Sequence, residues 1–480
     1  MERHNLSKST FIRGVQCLKS LYLYKKRYFL RDPLSQEQQA IFSRGTNVGI
    51  MARQLFFGGK DATPASPFLY ARSVALTADW IAKGEKVIYE AAFQYEKILV
   101  MLDILIHTPE GWIGIEVKSS RSVSETYLLD AALQYYVITG SGLPLADIRI
   151  MHINSDYIRG GEIEQEKLFI SHSVLEQVLS RQDYIRGQIQ REKEVILLPH
   201  APSVPVGLHC HNPYTCDFIG HCWKNMPRPS IFDLDAFSPE EKQMHFGSGY
   251  ISMENLAGLT GITPRQQVQI DSHLNGEIFI DKNAIREFNK LAEAPFAYLK
   301  VLYCRPALPL FSGTRPYEYL PYAFALLSAA QGSLPFVFIA SPGKDPRIVF
   351  ADMFKEKVSA FRTLVLPGQA SELTSLMDQI NIKAEVLDLS MPFAEQMIYH
   401  PGLAIGQRLA EITGYQSPEN NTGNASIASD TMAGVRYLAL ADALEGEAYE
   451  QELAEIGRYA FQCTGEIAAL HQWYKLIARE

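Results

Sequence analysis

Long apolar runs are what this chain most lacks: none of its 480 residues lies in an uninterrupted apolar stretch of the ~20 residues a membrane-spanning helix needs. The opening residues, MERHNLSKST, also lack the apolar core of a secretory signal. Together these absences predict a cytoplasmic protein with no membrane association. Cysteine is scarce, six in all, and in a reducing compartment a disulfide framework is not expected. Positive charge is short as well: 45 Lys and Arg face 53 Asp and Glu, a net charge of −8. That balance argues against a uniformly basic nucleic-acid binder.

The charge deficit is uneven. Residues 1–228 carry 26 Lys and Arg against 23 Asp and Glu, whereas the remaining residues carry 19 against 30. A phosphate-facing surface is therefore expected only in the first part, where Lys19, Lys25, Lys26, Arg27 and Arg31 cluster. A solvated helical face is the other reading of that cluster. With 47% hydrophobic and 20% charged residues, the chain has the composition of a globular protein with two or three cores.

In chain order, Ser7 caps a predicted amphipathic helix, SKSTFIRGVQCLKSLYLYKKR, with Cys17 near its middle. A second helix is expected over QEQQAIFSRGTNVGIMARQLF, closed by Gly58 and Gly59, and a third over about 71–83. The stretch from Val87 to Ser120 then reads as three strands, followed by a helix, SETYLLDAALQYYVITG, with Ser124 as N-cap and Gly140 at its end. IRIMHINSDYI reads as a strand, VLEQVLSRQDYIRGQIQREKEV as one long helix, and APSVPV as an extended lead into a cysteine-rich loop.

The three strands carry Asp103, Glu116 and Lys118 among apolar neighbours such as Leu102, Ile104, Ile115 and Val117. Strand alternation puts Glu116 and Lys118 on one face, and a turn at Thr108 to Gly111 folds Asp103 back beside Glu116. Two carboxylates suit a hard divalent cation such as Mg²⁺ or Mn²⁺, and a nearby ammonium can orient a water for attack on a phosphodiester. The alternative is a surface hairpin that merely alternates charged and apolar residues. The buried character of the flanks favours the functional reading, because unpaired charges among buried strands are costly. On the following helix, Asp130 and Gln134 are four apart and share a face.

Cys210, Cys216 and Cys222 are spaced six apart in HCHNPYTCDFIGHCW, a polar, turn-rich segment unlike the surroundings of a core cysteine. That is ligand spacing for a metal or cluster, with Cys17 as the free candidate for a fourth thiolate. His209, His211 and His221 keep a zinc site open as an alternative.

The order Cys17, Asp103, Glu116-x-Lys118, Gln134 with a nearby tyrosine, then three clustered cysteines resembles the iron-sulfur RecB-type nucleases of the PD-(D/E)XK superfamily, which include the CRISPR-associated four-cysteine exonucleases. Over nearly its full length the chain resembles a bacterial family that joins such a nuclease to an RNase H-like, DnaQ-type exonuclease region. HCHNPYTCDFIGHCW and LPLFSGTRPYEYLPYAFAL carry that closer likeness. The resemblance implies that Asp103 and Glu116 bind the catalytic metal with the Val117 carbonyl, and that Lys118 positions the water. It further implies support from Gln134 with Tyr135 or Tyr136, an added carboxylate from Glu90, and a [4Fe-4S] cluster on Cys17, Cys210, Cys216 and Cys222. Related nucleases often carry a metal-binding His on the second helix, where this chain offers Gly49.

Residues 229–294 read as a helical linker region, in which SMENLAGLTGITPRQQVQIDSHL is either plain linker or a helix-hairpin nucleic-acid contact. Residues 295–480 read as three strands, a helix, a strand, a helix and a strand, followed by helices of ten to twenty residues, an RNase H-like order. An active DnaQ-type site needs carboxylates for two metals. The likeness instead places Lys300 and Leu302 in the first acidic slots and Leu366-Pro367 in a later motif, while Asp388 and Glu466 remain. The expected whole is a PD-(D/E)XK nuclease domain (1–228) acting on nucleic acid, DNA favoured, with an inactive exonuclease domain whose acidity suits a protein partner. A non-catalytic scaffold in which both domains have decayed and a zinc-binding protein are the competing expectations.

Overall fold

The structure is a computed structural model that describes residues 4–34, 47–66, 68–404, 409–414, 427–443 and 446–479. It is a mixed α/β chain in two compact units, Met1–Asn225 with Pro306–Glu318, and Met226–Arg305 with Tyr319–Glu480. Residues 306–318, assigned from sequence to the C-terminal domain, thus pack within the first unit. Among the described residues no helix is long and apolar enough to cross a membrane.

In the first unit β1 (Leu6–Ser7) runs straight into α1 (Lys8–Gln16), where Ser7 and Thr10 form a capping box. The single helix expected over 7–27 is two. Cys17 has an extended backbone, φ −162° and ψ 114°, and separates α1 from α2 (Leu18–Lys26). Tertiary packing overrides local propensity here: Phe11 of α1 and Leu21 of α2 both reach the main core, while Leu18, Tyr22 and Leu23 turn α2 also onto Val195 and Phe218. Of the second predicted helix, 47–53 is helical (α3), and 35–46 lie outside the described residues. After β2 (Lys60–Asp61) comes α4 (Tyr70–Ala82).

Three long strands, β3 (Val87–Tyr95), β4 (Ile98–Thr108) and β5 (Gly111–Lys118), are joined antiparallel, with Thr108 opposite Gly111 at the turn. α5 (Glu125–Gly140), capped by Ser124, carries the chain to β6 (Leu145–Ile153), which pairs parallel with β5. α6 (Gln165–Leu168) precedes β7 (Phe169–Ser173) at the edge of the sheet, whose order is β2-β3-β4-β5-β6-β7 with β1 paired to β4. Leu102, Leu105, Ala131, Leu133, Val137 and Ile148 belong to the core between this sheet and α5. The long helix expected over 174–195 is interrupted at Arg181, giving α7 (Leu175–Ser180) and α8 (Gln182–Leu197). A final short helix, α9 (Ile219–Cys222), lies in the cysteine loop.

In the second unit, residues 229–294 are more than a linker: Ile231, Leu234, Met253, Leu256 and Ile270 form a core of their own. A short β8 (Phe279–Ile280) pairs with 398–399. The main sheet comprises β9 (Phe296–Cys304), β10 (Leu320–Ser328), β11 (Phe336–Ile339), β12 (Thr363–Leu366) and β13 (Glu385–Asp388), ordered β11-β10-β9-β12-β13. The first three are antiparallel, and β9, β12 and β13 are parallel. The C-terminal helices depart from the expected lengths, because Glu447–Ile477 is one helix of 31 residues.

Candidate active site

The register of the central strands places three carboxylates in one row. Tyr89 pairs with Ile104 and Ala91 with Leu102, so Glu90 stands opposite Asp103; Ile104 pairs with Ile115, so Asp103 stands opposite Glu116. Neither Glu90–Asp103 nor Asp103–Glu116 is a ladder pair. Glu90 takes a left-handed backbone, φ 51°, a conformation that costs a non-glycine residue on the order of 1–3 kcal/mol. On the other side of Asp103, the Val117 N–H donates to Asp103 Oδ2 at 2.6 Å. The ladder is interrupted at this row, and between β4 and β5 the Asp103 carboxylate takes the place of a ladder acceptor.

Glu116 is the centre of the cluster and only 2% exposed. Its Oε1 accepts from Lys8 Nζ at 2.5 Å and Lys118 Nζ at 2.9 Å, and its Oε2 accepts from Gln134 Nε2 at 2.6 Å. Lys118 also donates to Asp130 Oδ2 at 2.7 Å and lies 4.9 Å from the centre of the Tyr127 ring. Arg53 Nη2, from α3, donates to Glu90 Oε1 at 2.7 Å.

Electrostatics separates the carboxylates. Burial would raise the Glu116 carboxyl, but Lys118 and Lys8 outweigh it and hold Glu116 well below the usual carboxylate range. Burial, then the charge of Glu116, pushes Asp103 up against the weaker pull of Lys8 and Lys118. Burial also raises Glu90, opposed by Arg53. Lys118 stays protonated despite burial because Glu116 and Asp130 hold its charge.

The predicted residues Asp103, Glu116, Lys118 and Gln134 are thus brought together, with Glu90 at the end of the row. Tyr136 is not: its ring is 5.7 Å from Tyr95, and Tyr135 packs against the apolar core. The reason is helical phase, since a residue two beyond Gln134 faces away from it. Tyr127 and Asp130, seven and four residues before Gln134, share its face. Sequence reasoning missed the roles of Lys8, Arg53 and Tyr127. Helical spacing from Gln134 points to Tyr127, whereas nothing local marks Lys8, 108 residues from its partner. The end of β5 is buttressed from the 306–318 segment, where the Tyr317 hydroxyl donates to the Ser119 carbonyl.

The cysteines form a second cluster in the same unit. Cys17, Cys210, Cys216 and Cys222 line one small cavity with Ser20 and His209. Neighbouring side chains tie the cysteine loop to α1: Gln16 Nε2 donates to the carbonyls of His209 and Tyr214, both at 2.7 Å, and Arg13 pairs with Asp217 at 2.7 Å. Burial pushes the Cys17 and Cys222 thiols up. Four soft sulfur donors around one cavity fit an iron-sulfur cluster by donor chemistry. As placed, no group of three or more Cys, His, Asp or Glu is at metal-holding separation among the described residues. Of the histidines that would make a zinc site, His209 lines the cavity, whereas His211 packs edge-on against Trp223 with ring centres 5.5 Å apart.

In the second unit, Lys300 Nζ is 2.7 Å from Asp430 Oδ2, and Asp430 Oδ1 accepts from the Tyr459 hydroxyl at 2.8 Å. Leu302 is fully buried. Asp388 Oδ1 accepts from the backbone N–H groups of Gly368 and Ser390 at 2.7 and 2.8 Å, a turn-capping role, and Glu466 accepts from Gln462. Compared with known protein families and with curated proteins, the chain shows no significant match.

Proposed function

We propose that this chain is a Mg²⁺- or Mn²⁺-dependent nuclease that hydrolyses phosphodiester bonds, with DNA as the favoured substrate. The observation that carries the reading is the row Glu90, Asp103, Glu116 across three buried strands, at which both ladders open. Asp103 and Glu116, with the Val117 carbonyl, would hold the cation, and Glu90 adds a further carboxylate. The cation would polarise the phosphoryl oxygen and acidify a bound water. Gln134 fixes the rotamer of Glu116, and Asp130 fixes Lys118, whose ammonium is placed to orient the attacking water. On this reading the first unit is a PD-(D/E)XK domain stapled by a [4Fe-4S] cluster on Cys17, Cys210, Cys216 and Cys222.

The second unit is proposed to be RNase H-like and inactive. Its strand order and the Lys300–Asp430 pair support this, since a lysine among the carboxylates opposes cation binding. Its negative balance favours a protein partner. One observation favours a non-catalytic scaffold instead: both oxygens of Glu116 already have side-chain donors. The deciding experiment is cleavage of labelled single- and double-stranded DNA with Mg²⁺ and with Mn²⁺, wild type against Asp103→Ala. Metal-dependent cutting lost in the variant supports the nuclease; no cutting by either protein supports the scaffold, and equal cutting by both would overturn the assignment of Asp103.

A further inference from the structure

Lys8 reaches the carboxylate row from 108 residues away in sequence, and its position is built rather than incidental. Leu6 and Ser7 pair with Ile98 and Leu99 of β4, and Ser7 caps the helix that Lys8 begins. The ammonium is thereby delivered to Glu116 Oε1, the same oxygen that accepts from Lys118. Two ammonium groups on one oxygen repel each other. They are not equivalent. Lys118 has a second anionic partner in Asp130 and its side chain is 15% exposed, whereas Glu116 is the one ion-pair partner of Lys8 among the described residues and the Lys8 side chain is 27% exposed. Lys8 therefore has fewer ion-pair partners and the more exposed side chain.

A carboxylate as buried as Glu116 needs compensating positive charge. We propose that Lys8 is the resident counter-cation of this site: its ammonium neutralises the carboxylate row when no metal is bound and withdraws from Glu116 when a divalent cation takes its place. The inference rests on the nuclease reading above and adds a cost to metal binding, because the exchange breaks a short ion pair. Lys8 is thus a competitor of the metal, while Lys118, anchored by Asp130, stays.

The test is Mn²⁺ binding to the full-length protein, measured by calorimetry or by loss of the free-ion paramagnetic signal, with thermal unfolding alongside. Lys8→Met is expected to bind Mn²⁺ roughly tenfold more tightly or better, the affinity change of a modest lost competition. Its metal-free melting temperature should fall, and its rise on Mn²⁺ addition should exceed that of wild type. Lys8→Arg, which keeps the charge, should stay near wild type, and Lys8→Gln repeats the measurement if the methionine variant does not fold. Unchanged or weaker Mn²⁺ affinity without the Lys8 charge, with binding intact in wild type and lost in Asp103→Ala, would overturn the proposal and leave the nuclease reading standing. Absence of Mn²⁺ binding in wild type and Lys8→Met alike would remove both.

Discussion

Gly14 of α1 lies directly against the side chain of Glu192 of α8, so that a Cβ at position 14 would overlap the Glu192 carboxyl carbon and Oε1. Gly14→Ala should therefore destabilise the first unit by about 1–3 kcal/mol through overpacking, although alanine is the better helix former. Chemical denaturation measures it, and a more stable variant would show that the two helices part freely.

Glu192 is fully buried; Gln188 donates to its Oε1 at 2.9 Å, and Oε2 has no hydrogen-bond partner among the described residues. Burial pushes its carboxyl up to about 9. The folded protein then holds a proton that the unfolded chain releases near the ordinary glutamate range, so this stability is present below about pH 4.3 and lost as pH rises toward 9. Glu192→Gln should add on the order of 2 kcal/mol at pH 8 and little at pH 4.5. Unfolding curves at the two pH values that shift in parallel for both proteins would contradict it.

The two central carboxylates should respond differently to removal. Asp103→Ala is expected to lower cleavage at least about a hundredfold with a near-normal melting temperature, because burial and the charge of Glu116 both disfavour the Asp103 carboxylate, and among the described residues its close donor is the Val117 N–H. Glu116→Ala should lose cleavage and also about 3–5 kcal/mol of stability, since it leaves Lys8 and Lys118 without their shared anion. Equal melting temperatures would refute this asymmetry.

If one cluster uses all four cavity thiols, Cys17→Ser and Cys216→Ser should lose visible absorbance and thermal stability to a similar degree. Cys304→Ser and Cys463→Ser should keep the colour, because neither residue lines the cavity. Bleaching by the Cys304 change, measured on protein purified without air, would break the grouping. A colourless wild type containing zinc would replace the cluster with the competing metal.

With Asp103 replaced, no second nuclease activity should appear under Mg²⁺ or Mn²⁺. Lys300 neutralises Asp430, and Asp388 is committed to the turn around Gly368 and Ser390. Cleavage that persists in Asp103→Ala and disappears on adding Asp388→Ala would make the second unit an enzyme.

The hairpin strands and α5 are legible in sequence because period-two alternation, a four-residue turn and the Ser124 and Gly140 punctuation all agree. Gln134 is legible for the same reason, as it projects from a well-marked helix onto a well-marked strand. Lys8 is not, because its partner is fixed by β1 pairing with β4, and a two-residue strand leaves no pattern. The break at Cys17 is equally silent, since both flanks favour helix, and it serves α2's second set of packing partners, Val195 and Phe218, which lie far away in sequence. Nor does local sequence show that 306–318 packs in the first unit, because a loop's contacts are set by the surface it meets.

α1 begins with Lys8 at Glu116 and ends beside Cys17 at the cysteine cavity, nine residues that rise ~13 Å. A helix is stiff along its axis, so its two ends cannot be displaced independently. A disturbance at the sulfur end would consequently be felt as a misplaced Lys8 ammonium at the other, altering the balance between ammonium and cation at Glu116 while every carboxylate remained in place. If the nuclease and cluster readings hold, a single short rod ties the occupancy of the carboxylate row to the integrity of the cysteine cavity.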